Sequence, residues 1–144
     1  MPQNHDRVGK SLRRPARDII EAVVGNMRQN LEPLKYSTLA PSRYTVYLHP
    51  LEYARLEGIV PILQEQTIRA LTDELAKLNA RPLIAKWVPW AKGESSCEIR
   101  SAASDWQIEF LPDADGDMNE GDLFIDSELV LPARPDLGLG ERTR

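Results

Sequence analysis

The spacing of hydrophobic positions changes several times along the chain, and each change marks an element. In ARDIIEAVVGNMRQNL, Ile19, Ile20, Val23, Val24, Met27 and Leu31 recur three and four residues apart. That spacing predicts an amphipathic helix. Pro15 suits its first turn, Gly25 weakens it slightly and Pro33 ends it. Ala40-Pro41-Ser42 acts as a breaker. RYTVYLH then alternates, with Tyr44, Val46 and Leu48 on one face and Arg43, Thr45, Tyr47 and His49 on the other. Alternation with β-branched and aromatic residues predicts a strand. Pro50 has no N–H to give a ladder and stops it.

Helical spacing returns in LEYARLEGIVPILQEQTIRALTDELAKLN. Gly58 and Pro61 interrupt it early, so a short helix over 50–57 and a main helix from about Pro61 to Leu78 are expected. Ile62, Leu63, Ile68, Leu71, Leu75 and Leu78 supply the apolar stripe, and Asn79 is placed to cap it. RPLIAKWVPWAKG, with two prolines and two tryptophans, reads as an irregular or edge segment. SCEIRSA, DWQIEFLP and DLFIDSELVLP each read as strands. The acidic stretch DADGDMNEGD reads as the loop of a long hairpin between the last two.

The expected order is therefore α-β-α-β-β-β. It implies an α+β fold, a small mixed or antiparallel sheet of three to four strands with helices packed on one face. Residues 1–14 read as a disordered basic arm, 15–132 as a single α+β domain and 133–144 as a Pro/Gly-rich linker or tail. No glycine-rich loop follows the first strand, which removes the usual dinucleotide-binding reading.

Composition narrows the picture a little. A chain of 144 residues, 42% hydrophobic and 28% charged, is that of an ordinary globular domain. Its single cysteine, Cys97, allows no internal disulfide and fits a reducing, cytoplasmic compartment. No apolar run is long enough to cross a bilayer. The net charge of −4 conceals an asymmetry: residues 1–80 carry 11 Lys/Arg against 9 Asp/Glu, residues 81–144 carry 7 against 13. The acidic body argues against general nucleic-acid binding.

Candidate chemistry is sparse. Ser42 and His49 stand seven residues apart, roughly 20 Å along an extended strand, too far for a nucleophile–base pair. No G-x-S-x-G elbow occurs. Two histidines and one cysteine so scattered give no zinc site. Asp113, Asp115 and Asp117 alternate as the first ligands of an EF-hand do. Met118 then stands where the turn glycine is needed and Phe124 where the bidentate Glu is needed, so the loop reads as a solvated hairpin tip. Trp87, Trp90 and Trp106 with Lys86 and Lys92 suggest a stacking platform for single-stranded nucleic acid. The competing reading, favoured here, puts Trp106 in the core and KWVPW at an edge. A KH-type GXXG loop is missing. No catalytic residue, metal ligand or cofactor site is assigned.

TLAPSRYTVYLHPLEYARLEG nevertheless resembles the N-terminal module of bacterial FhaA-type proteins, regulators with a C-terminal forkhead-associated domain. The shared element is "LAP-x-x-Y" leading into a strand, a turn and a helix, carried here by Leu39, Ala40, Pro41, Tyr44, Tyr53 and Leu56. WQIEF, a polar loop, Gly121, Phe124 and Val130 are similar too, over roughly residues 33–132. The region before Tyr36 is shorter than in that family, and the stretch from Arg81 to Ala102 differs. The resemblance implies a non-enzymatic cytoplasmic regulatory module that binds a protein partner in bacterial Ser/Thr-kinase signalling. On that resemblance, the phosphothreonine-reading domain would be absent from these 144 residues. The surface expected to bind comprises Arg43, Thr45, Tyr47 and His49 with Trp87 and Trp90 nearby. A small nucleic-acid-binding module and an unrecognised ligand-binding or hydrolase domain are the alternatives.

Overall fold

The computed structural model describes residues 14–80, 98–103 and 105–130. The expected arm before Arg14, the RPLIAKWVPWAKG segment with Trp87 and Trp90, Cys97 and the tail beyond Val130 lie outside the described residues. The α+β class and the broad order of elements hold.

Helix α1, Ala16–Gln29, buries Ile19, Val23, Val24 and Met27. These lie at helical spacing on one stripe, as the periodicity predicts. Two short strands follow, β1 (Glu32–Pro33) and β2 (Ser37–Ala40), paired antiparallel around a turn that Leu34 N–H closes onto the Ser37 carbonyl at 2.7 Å. Strand β3, Arg43–Leu48, fully buries Tyr44, Val46 and Leu48. Helix α2, Pro50–Leu56, passes through a single 3-10 turn at Glu57–Ile59 into helix α3, Val60–Ala80. Pro61 falls in the first turn of α3, where its missing N–H costs nothing. Strands β4 (Glu98–Ser101), β5 (Gln107–Pro112) and β6 (Leu123–Glu128) complete the chain.

The strands form two sheets of three, ordered β1-β2-β4 and β5-β3-β6. The sequence reading expected one sheet and no strand before Arg43. The difference arises at Pro41-Ser42, which breaks the strand but not its direction. The chain leaves β2, steps across two residues and continues as β3 in the second sheet. Between β4 and β5 it makes a matching step, so β2 pairs parallel with β4 and β3 parallel with β5. Ala102 N–H donates to the Ala40 carbonyl at 2.9 Å and Gln107 N–H to the Ser42 carbonyl at 2.8 Å, joining the two steps. Parallel pairs need a long crossover. Helices α2 and α3 provide it for both.

The expected hairpin is also corrected. Strands β5 and β6 do not pair with each other; both flank β3, β5 parallel and β6 antiparallel. The loop over 113–122 is long enough to cross β3, two strand spacings or about 10 Å. Both neighbours therefore use the most apolar strand as their template.

Helices α1 and α3 pack together and cover one face of the β5-β3-β6 sheet. The core joins Ile19, Val23, Met27, Tyr44, Val46, Leu48, Leu71 and Phe110. Each such side chain contributes about 1.5–3 kcal/mol by leaving water. The buried stripe of α3 is Leu63, Thr67 and Leu71. Ile62 and Ile68, expected there, are 54% and 36% exposed. Thr67 is tolerated inside because its hydroxyl donates to the Leu63 carbonyl at 2.6 Å. Arg28 on α1 bonds Glu74 on α3 at 3.0 Å, and Gln64 donates to the Ile108 carbonyl at 2.9 Å, tying helix to helix and helix to sheet.

Candidate protein-interaction surface

Pleating sends alternate residues of a strand to opposite faces. With Tyr44, Val46 and Leu48 facing the helices, Arg43, Thr45 and Tyr47 point the other way. The register sets three rows across the sheet: Gln107–Arg43–Glu128, Glu109–Thr45–Asp126 and Leu111–Tyr47–Phe124. The outer members Gln107, Glu109, Phe124, Asp126 and Glu128 are all exposed. Thr45, Tyr47 and Leu111 are half-buried. Among the described residues, no helix or strand packs over this face, the open face of the sheet.

Each row has its own chemistry. In the first, Arg43 Nε donates to Gln107 Oε1 at 3.1 Å, and its guanidinium reaches Glu128 Oε1 at 3.4 Å. In the second, Glu109 and Asp126 flank Thr45, and neither carboxylate has a hydrogen-bond or ion-pair partner among the described residues. In the third, the Tyr47 and Phe124 rings lie 5.8 Å apart between centroids, tilted by 41°. Beyond this row, Tyr47, Asp113, Asp115, Met118, Phe124 and Asp126 line a concavity of about 420 Å³.

The acidic loop is folded back on itself. Asp113 Oδ2 accepts the Met118 N–H at 2.9 Å and Asp122 Oδ2 accepts the Asn119 N–H at 3.0 Å. Gly116 at φ +72° and Gly121 at φ +91° make the turns that a side chain would strain. Among the described residues, no group of three His, Asp or Glu converges closely enough to hold a metal ion.

The residues singled out by sequence thus separate. Arg43, Thr45 and Tyr47 come together on the open face. His49 leaves the row: its Nδ1 accepts the Leu51 N–H at 3.1 Å and caps α2. A side-chain acceptor at this position satisfies one of the helix's orphan donors. Trp87 and Trp90 lie outside the described residues. Trp106 is half-buried, donates from Nε1 to Thr72 Oγ1 at 3.1 Å, and packs 6.3 Å from the Tyr44 ring.

Ser42 is 2% exposed and wholly engaged. Its hydroxyl donates to the Val130 carbonyl at 2.9 Å and its N–H to the Glu128 carbonyl at 3.1 Å. Tyr44 extends the same clamp, donating to the Pro41 carbonyl at 2.8 Å. Burial pushes the Tyr44 phenol well above its ordinary range, which keeps it a donor. Pro41, Ser42 and Tyr44 therefore fix the step between the two sheets.

Glu109, Leu111, Met118, Phe124 and Asp126 were not expected on this surface. Their membership follows from long-range pairing. The one local signal is the alternation of DLFIDSE, and adjacent Leu123, Phe124 and Ile125 leave its phase ambiguous.

No family model and no curated protein matches the chain. A solved structure is similar in fold. It is named "Rv0020c_Nter structure", and the likeness covers 83% of this chain and 72% of that one, with a TM-score of 0.52 at 14% identity. At that identity the likeness concerns the path of the backbone and leaves the surface residues to be argued from their own chemistry. No described helix is long and apolar enough to cross a membrane.

Proposed function

We propose that this chain is a non-enzymatic module of a bacterial regulatory protein and binds a protein partner through the open face of the β5-β3-β6 sheet. The observation that carries the reading is that face itself. One side of a three-stranded sheet is sealed by helices, while the other presents Tyr47 and Phe124 beside carboxylates that have no partner among the described residues. Exposed aromatic residues on a rigid sheet are typical anchors of protein interfaces. The fold likeness to the N-terminal part of Rv0020c, a forkhead-associated-domain protein, supports a regulatory setting. A connection to Ser/Thr-kinase signalling is the finer form of the proposal. The acidity of the face disfavours a nucleic-acid partner, whose phosphates it would repel.

The test is site-specific photocrosslinking in the source cell. A benzoylphenylalanine replacing Thr45 on the open face should yield a discrete protein adduct, and one replacing exposed Gln66 on α3 should not. Adding Tyr47→Ala with Phe124→Ala should abolish the Thr45 adduct. Equal adducts from both positions, or none from position 45, would count against the proposal.

A further inference from the structure

We infer that the concavity beyond the Leu111–Tyr47–Phe124 row receives a cationic side chain, an arginine in an extended segment of the partner protein. The inference rests on the reading of the open sheet face as the interface and names what one part of it recognises. Two kinds of wall meet there. Tyr47 and Phe124 present tilted rings 5.8 Å apart, and Met118 adds a flexible apolar edge. Asp113, Asp115 and Asp126 supply the polar rim. A ring face attracts a cation through its quadrupole, and a carboxylate does so through charge and hydrogen bonds.

The state of the carboxylates gives the sign of the ligand. Among the described residues, the side chains of Asp115 and Asp126 have no hydrogen-bond or ion-pair partner. Asp113 uses one oxygen for the Met118 N–H, and its other oxygen has no hydrogen-bond partner among the described residues. Neighbouring Glu109, Asp117 and Glu120 add like charge. Arg43, the cation on β3, is engaged with Gln107 and Glu128 two rows away. Bringing a positive group to such a site relieves mutual repulsion as well as making new contacts.

The shape selects among cations. Among the described residues, no group of three His, Cys, Asp or Glu is placed to hold a metal ion. The carboxylates stand around a space of about 420 Å³, within the range of pockets that take small organic groups. A planar guanidinium can stack on a ring while its edge donates to a carboxylate, which a compact ammonium does less well. The pocket also lies at one end of β3, so a chain laid along the open face would bring a side chain into it.

The experiment is an NMR titration of the full 144-residue chain. The probe is Ac-Ala-Ala-Arg-Ala-Ala-NH2, with counterparts carrying lysine or citrulline, the neutral isostere of arginine. The arginine peptide should give saturable amide shifts at Tyr47, Met118, Phe124 and Asp126, with a dissociation constant on the order of 1 mM. Lysine should bind more weakly and citrulline not measurably. Phe124→Ala and Asp126→Asn, both at exposed positions, should each weaken binding about five- to tenfold without changing the melting temperature. Equal shifts with citrulline, or none up to about 10 mM arginine peptide, would overturn the inference. Shifts at these residues on replacing Arg7, Lys10 and Arg13 by Gln without any peptide would overturn it too, naming the chain's own basic arm as the occupant. A position-45 adduct that survives Asp126→Asn unchanged would sink the pocket and leave the interface standing. Arginine binding without any position-45 adduct would do the reverse.

Discussion

On the helix side of β3, Tyr44, Val46 and Leu48 are each fully buried; on the other side Arg43 is exposed and Thr45 and Tyr47 are half-buried. The two faces share one backbone, one register and the same neighbours. They differ in what lies above them, and that decides what each residue does. On the closed face, side-chain identity sets stability through volume and satisfied polar groups. On the open face, the same spacing leaves side chains free to meet another molecule. The pair at Tyr44 and Tyr47 shows this best: one phenol is sealed and donates to Pro41, the other forms part of a pocket wall.

The largest effects should come from breaking the closed face. Leu48→Ala should cost about 2–5 kcal/mol in chemical denaturation, since Leu48 is fully buried and the core around it can only partly collapse into the space. A loss below about 1 kcal/mol would mean that this face is not the core. Tyr44→Phe keeps the ring and removes the hydroxyl, leaving the Pro41 carbonyl without its donor, at about 1–2 kcal/mol.

The same pair of proteins tests the burial of that phenol by pH. Tyr44 has a folded-state pKa raised above its ordinary 10.0. The unfolded chain therefore loses this proton first, so the stabilisation is complete below pH 10 and falls as pH rises beyond it. Equilibrium unfolding of the native protein against Tyr44→Phe should show the gap between them shrinking above pH 10. A gap independent of pH would indicate a solvated phenol.

Where β3 ends, His49→Ala should cost about 1 kcal/mol by removing the cap of α2, and His49→Asn should restore most of it. Equal losses in both would remove the capping role. The smallest effects belong to the open face. Thr45→Ser and Arg43→Gln should each change stability by less than about 0.5 kcal/mol, because the Arg43–Glu128 pair is nearly half exposed on both sides. A larger loss in either would show that something covers this face in the isolated chain.

Much of the closed face was legible in the sequence. RYTVYLH, the α1 stripe and the two-part helix over 50–80 follow from local periodicity, and Pro50 and Pro61 mark real boundaries. His49 was expected in the row with Arg43, Thr45 and Tyr47, and its cap on α2 takes it out of that row. The open face was half legible. Arg43, Thr45 and Tyr47 follow from alternation on β3, but their neighbours Glu109, Phe124 and Asp126 come from strands more than sixty residues away. Thr67 was missed on the α3 stripe because a threonine looks polar until its hydroxyl finds the Leu63 carbonyl.

The sequence alone determined the helices, the strands from β3 onward and which side of β3 is apolar, because periodicity and backbone chemistry act over a few residues. Only the tertiary structure decided that Pro41-Ser42 is a step between two sheets and that β5 and β6 flank β3 rather than each other. It also brought Asp113, Met118, Phe124 and Asp126 to Tyr47. Those outcomes depend on which distant strand satisfies the N–H and C=O groups of β3 while the helices cover its apolar face, a competition among long-range pairings that no short stretch encodes.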